Sequence, residues 1–233
     1  MEEKKKGGKR AAPNRRGWLL AALVLAGLGI WGILEWRAHT APGPGIFVNE
    51  EALTRREPFY QYDAPGVTAR AGVDVSSYQG VVDWPAVKAA GADFAMLRVG
   101  FRGYGTGALV EDNAFAQNAA DAANAGLTVG VYFYSQAVTE EEAAEEARFV
   151  VERLRGTNVS GPIAYDLEFY TADEARTDDL TGEQATQNAI AFCDVIRQAG
   201  YEPVVYMNLH WAGTMYGMEE PVSYTHLRAH ETR

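Results

Sequence analysis

From Ala71 onward, short apolar runs alternate with amphipathic runs of helical period, and that alternation restricts the fold more than any other feature of the chain. The apolar runs are AGVDVSS, DFAMLRVG from Asp93, LTVGVYFYS from Leu127, GPIAYDLEF from Gly161 and EPVVYMN from Glu202. Between them lie WPAVKAAG, DNAFAQNAADAANAG, TEEEAAEEARFVVERLRG and TGEQATQNAIAFCDVIRQAG. A glycine closing an amphipathic run is a helix C-terminal signal. Thr139 with Glu142, and Thr181 with Gln184, have the spacing of capping boxes. Strands that alternate with helices imply right-handed βαβ units and a parallel sheet. The strands are apolar almost throughout, as expected when both faces of a sheet are covered. An open doubly wound sheet and a (β/α) barrel both meet these requirements. No G-x-G-x-x-G turn follows the first strand and no Walker loop is present, which removes the usual nucleotide sites.

The N-terminal region has a different character. Gly17 to Leu34, GWLLAALVLAGLGIWGIL, is uncharged. About 18 such residues at ~1.5 Å each come close to spanning the hydrocarbon core of a bilayer. Trp18 and Trp36 stand at its two ends, where amphipathic rings favour the interface. Residues 1–16 hold seven Lys and Arg against two Glu, a net +5; with −10 for the whole chain, the remainder carries −15. Residues 1–16 therefore read as a basic cytoplasmic segment and 17–36 as a transmembrane anchor, with everything after it outside. A cleaved signal peptide is the alternative. Its apolar part is shorter, roughly 7–15 residues, and ends in a small-x-small site, whereas Glu35, Trp36 and Arg37 follow here. Residues 37–70, with Pro42, Gly43, Pro44 and Gly45 and a charged stretch, read as a linker. The acidic main body excludes the basic face that nucleic-acid phosphates need. Cys193 is the single cysteine, so no intramolecular disulfide forms, and its helical context makes it a packing residue.

Chemistry enters through strand alternation, because successive side chains point to opposite faces. In IAYDLEF, Asp166 and Glu168 share one face. If the valines and other apolar residues of each strand pack under helices, one register collects Asp74, Arg98, Tyr132, Tyr134, Asp166, Glu168, Tyr206 and Asn208 on the other side. Most of these lie at C-terminal strand ends, where α/β sheets and barrels place their sites. Three converging carboxylates repel one another, and partial burial should raise one of them, leaving a protonated acid beside an ionised neighbour. Glycoside cleavage uses such a pair, one carboxyl to protonate the leaving oxygen and another to support the oxocarbenium-like centre. Tyrosines offer flat apolar faces with a polar tip, which suits sugars. Arg98 is either a substrate contact or a salt-bridge partner for one carboxylate.

The stretch GVDVSSYQGVVDWPAVKAAGADFAMLRVG, followed by FRGYGTG, DNAFAQNAADAANAGLTVGVYFYSQA and PIAYDLE, resembles the glycoside hydrolase family 25 lysozymes from about Ala71 to Asn208. The resemblance implies an irregular (β/α) TIM-like barrel and hydrolysis of the β-1,4 bond between N-acetylmuramic acid and N-acetylglucosamine in peptidoglycan, with net retention. It implies Glu168 as general acid, Asp166 as the partner that supports the reacting centre or orients the substrate N-acetyl group, and Asp74 as the first-strand carboxylate. Tyr132, Tyr134, Arg98, Tyr206, Asn208 and Tyr78 are the substrate-binding candidates. Such enzymes continue past a fifth strand, so the hydrolase domain, residues 71–222, is expected to be incomplete at its C-terminus. Residues 223–233 are expected to be a non-native tail, since PVSYTHLRAHETR has no apolar period and a sudden excess of His, Arg and Thr. His226 and His230 have i, i+4 spacing but no third ligand or acidic partner, so neither metal nor cofactor is expected. Two other readings compete. One is a non-catalytic peptidoglycan-binding module on the same scaffold. The other is a metal-dependent deacetylase, which would need His and Asp ligands at strand ends.

Overall fold

The structure, a computed structural model, describes residues 50–168, 174–206 and 225–227. The basic segment, the transmembrane assignment at 17–36, Asn208 and His230 lie outside the described residues. Among the described residues, no helix is long and apolar enough to cross a membrane.

One seven-stranded sheet organises the domain. Its members are β3 (Gly72–Val75), β4 (Phe94–Arg102), β5 (Leu109–Glu111), β6 (Thr128–Ser135), β7 (Ile163–Leu167), β8 (Pro203–Tyr206) and β9 (Thr225–Leu227). The order is β3-β4-β6-β7-β8-β9, and every neighbouring pair in that path is parallel. β5 is antiparallel to the end of β4. Each strand is added beside its predecessor. The order never reverses, and a reversal is what defines a doubly wound sheet. The protein is thus an α/β fold with a mostly parallel, singly wound sheet.

That winding explains which face is sealed. In β6, Val129, Val131, Phe133 and Ser135 are buried, while Tyr132 and Tyr134 between them are partly exposed. The buried face packs against helices α1 (Trp84–Ala89), α2 (Phe115–Asn124), α3 (Glu140–Arg153) and α4 (Gly182–Gln198). Buried positions in α3 are Ala143, Glu146, Ala147 and Val150, and in α4 they include Ala185, Ala189, Phe192 and Ile196, the i, i+3, i+4 spacing of one helix face. The ring of Phe192 lies 5.1 Å from that of Tyr165 on β7. Cys193 sits in the same apolar layer, where burial pushes its thiol up to about 12, so it packs rather than reacts. An order without reversal keeps the crossover helices together; on the opposite face Arg98, Tyr132 and Tyr134 are partly exposed, while Ala164 and Asp166 of β7 are buried.

Helix ends follow the sequence signals with one modification. Thr139 and Thr181 cap their helices through Glu142 N and Gln184 N, at 3.3 and 3.2 Å. The reciprocal half of each box is spent elsewhere. The Glu142 carboxylate accepts from Val138 N at 2.9 Å, and the Gln184 amide donates to Asn188 Oδ1 at 2.8 Å. Gly126 and Gly200 end α2 and α4 with φ of 82° and 87°, the left-handed region that glycine enters without penalty.

Two other segments differ from expectation. Within the stretch read as a linker, β1 (Leu53–Arg56) and β2 (Phe59–Tyr62) form an antiparallel hairpin, and Phe59 packs on the core. Its two four-residue strands show no alternation of buried and exposed positions, so the sequence offered no period to read. Within the stretch read as a non-native tail, β9 pairs in parallel with β8, Val204 opposite Thr225 and Tyr206 opposite Leu227. A three-residue strand is too short to display a period of two in sequence.

Candidate active site

The sheet register assembles the open face in rows. Residues paired across parallel neighbours point the same way. Asp74 is opposite Met96, Arg98 is opposite Tyr132, and Phe101, Tyr134, Asp166 and Tyr206 form one continuous row from β4 to β8. Phe101 reaches that row through a register shift between Arg98 and Gly100. The extra residue leaves Val99 and Gly100 both buried and returns Phe101 to the open face. Glu168 follows the end of β7, one step beyond Leu167.

Three carboxylates are electrostatically coupled on this face. Asp166 is only 9% exposed, and its Oδ1 has no hydrogen-bond partner among the described residues. Burial, then the charges of Glu168 and Asp74, hold its carboxyl well above the usual range. Asp74 is exposed by surface area, but protein atoms crowd it enough that desolvation raises its carboxyl too; the Tyr132 hydroxyl bonded to it and the Arg98 charge pull the other way. Burial, with Asp74 next, raises the Tyr132 phenol, so that hydroxyl remains a donor to Asp74. The main-chain oxygen of Glu168 accepts from Gln136 Nε2 at 2.9 Å and from Tyr134 Oη at 3.4 Å.

Arg98 is committed to a different carboxylate. Its Nε and Nη2 each lie 2.8 Å from Asp112 Oδ2, and Nη2 donates to Ser77 Oγ at 3.1 Å. Asp112 also accepts from Ser77 N and Ala114 N, both at 3.0 Å. Burial alone would raise Asp112; these donors and the guanidinium hold it below the usual range. Arg98 is therefore ion-paired with Asp112, outside the three site carboxylates, and reaches Asp74 through its charge. It also carries the ring of Tyr78, 86% exposed, with the guanidinium carbon 4.9 Å from the ring centroid, and lies 5.5 Å from Phe101.

The structure thus brings Asp74, Tyr132, Tyr134, Asp166 and Tyr206 onto one face, sets Glu168 at its rim, and stacks Tyr78 on Arg98. Among the described residues no group of three His, Cys, Asp or Glu side chains is arranged to hold a metal ion. The profile of the glycosyl hydrolases of family 25 matches residues 73–227, more than half of the chain. The chain belongs to glycosyl hydrolase family 25. Consistent with membership, 65 residues are 35% identical to the lysozyme M1 of Streptomyces globisporus, over 28% of this chain and 20% of that one. Two solved structures share the fold. The modular autolysin LytC of Streptococcus pneumoniae, solved with a synthetic peptidoglycan ligand, superposes with a TM-score of 0.57 at 22% identity, covering 70% of this chain and 39% of that one. The muramidase of Trichobolus zukalii superposes with a TM-score of 0.58 at 19% identity, over 70% and 78%. This family 25 chain spans about a fifth of the curated lysozyme's length and two fifths of the autolysin's.

Three residues of this family 25 site escaped sequence reasoning. Phe101 was hidden by the bulge. Asp112 sits in a loop with no motif, its one signal being an Asp two residues before Ala114, whose N–H it accepts. Gln136 reads as the polar residue after a strand and nothing more.

Proposed function

We propose that the protein is an N-acetylmuramidase that hydrolyses the β-1,4 bond between N-acetylmuramic acid and N-acetylglucosamine in peptidoglycan. The observation that carries this reading is the convergence of Asp74, Asp166 and Glu168 on the one open face of a family 25 sheet, among tyrosines. The singly wound order supports a sheet that curves toward a barrel, as the family resemblance implies. Glu168 donates its proton to the glycosidic oxygen as the C1–O bond breaks. Asp166 has a buried oxygen that meets no donor among the described residues, which suits the N–H of the substrate acetamido group. So held, the acetamido oxygen attacks C1. Water, deprotonated by the Glu168 carboxylate, then opens that intermediate, and the two displacements give net retention. Asp74, gripped by Tyr132, supplies negative charge near the developing cation. Tyr134, Tyr206, Tyr78 and Asn208 contact the sugars, and Arg98 supports the Tyr78 platform. The uncharged run Gly17–Leu34 and its basic leader support a reading in which 17–36 anchors the hydrolase outside a membrane with the N-terminus cytoplasmic.

Glu168→Gln keeps the shape but cannot donate the proton. Turnover of purified peptidoglycan should fall by about 10²–10⁴-fold, the usual worth of general acid catalysis, while glycan binding persists. Near-normal turnover would remove Glu168 from the acid role.

A further inference from the structure

Gln136 is fully buried immediately after β6, and every polar atom of its side chain has a defined partner. Its Nε2 donates to the main-chain oxygen of Glu168 at 2.9 Å, and its Oε1 accepts from Thr177 Oγ1, also fully buried, at 2.9 Å. A main-chain carbonyl only accepts, so the amide has one permitted orientation, nitrogen toward Glu168 and oxygen toward Thr177. The segment that carries Gln136 is pinned on both sides. Ser135 Oγ donates to Glu146 Oε2 at 2.7 Å, and Asn188 Nδ2 donates to Ala137 O at 2.9 Å. Glu168 itself lies just past the end of β7, so its direction depends on what grips its peptide.

We propose that Gln136 is a positioning residue for the general acid. Its amide, oriented by Thr177, fixes the Glu168 peptide and so the angle at which the carboxyl meets the glycosidic oxygen. The inference rests on the reading of Glu168 as that acid. Placement matters at this scale, because a displacement of ~1 Å in a catalytic group can cost about 10²-fold in rate.

The test uses the full chain and two substrates that differ in their leaving group. Peptidoglycan leaves as a sugar hydroxyl and needs a proton. A dinitrophenyl glycoside of the same muramic sugar departs without one. Gln136→Met keeps the length and removes the donor. It should lower kcat/KM on peptidoglycan by about tenfold or more, chiefly through kcat, and leave kcat/KM on the aryl glycoside within about twofold. Thr177→Val, which removes the donor that holds the amide oxygen, should shift the same ratio in the same direction by less, and it decides the matter if Gln136→Met does not fold. Glu168→Gln is measured in parallel. Because Glu168 also serves as base in the second step, the comparison is read in kcat/KM, which reports the bond-breaking step; if Glu168→Gln lowers kcat/KM alike on both substrates, the acid assignment fails and the inference falls with it. If Glu168→Gln shows the leaving-group dependence and the Gln136 or Thr177 variant slows both substrates equally, or neither, the positioning role is wrong while the acid assignment stands.

Discussion

Asp166 is buried between two other carboxylates, and its Oδ1 meets no donor among the described residues. A carboxyl raised on folding holds its proton more tightly in the folded chain. Its contribution to stability is therefore whole below the ordinary carboxylate pKa and is lost as pH rises through the raised value. Asparagine never ionises and escapes that loss. Asp166→Asn should stabilise the fold at neutral pH and should match the parent below about pH 4. Urea melts at the two pH values check this; a variant less stable than the parent at neutral pH would contradict it. At this scale the sequence was informative about facing and silent about partners. Alternation alone puts Tyr134, Asp166 and Tyr206 on one side, because it follows from strand geometry. It cannot show that Arg98 pairs with Asp112, since that contact is made by a loop whose path no local period encodes.

At the scale of elements, α3 is fastened to the sheet by charge as well as by its apolar stripe. Arg102, near the end of β4, donates through Nε to Glu146 at 2.7 Å, through Nη2 to Glu145 at 2.8 Å and to Glu142 O at 3.0 Å, and through Nη1 to Gly107 O at 2.7 Å. Both Arg102 and Glu146 are buried. Removing one member of a buried pair leaves the other uncompensated, which typically costs about 3–5 kcal/mol. Arg102→Met should destabilise by that order in urea unfolding, whereas Arg102→Met with Glu146→Met should recover much of the loss. Equal destabilisation by the single and double changes would show that the pair is not the fastening. The strands and helices were legible as elements because their periods are local. The bulge at Arg98–Gly100, the hairpin over 53–62 and the short strand β9 were not, since each depends on a partner strand distant in sequence or is too short to carry a period.

At the scale of the whole molecule, the proposed arrangement is an outward-facing hydrolase behind a membrane segment. Protease added to intact cells should digest the region after Arg37 and spare a tag at the N-terminus; the opposite pattern would reverse the proposed orientation. The central claim, however, is chemical: the open face of this sheet cuts one particular bond. Its most direct test is to incubate the full chain with purified peptidoglycan and identify the new reducing ends. Reducing N-acetylmuramic acid, released initially in the β-configuration, is the expected product. Reducing N-acetylglucosamine ends, or binding to the glycan with no new ends at all, would contradict it.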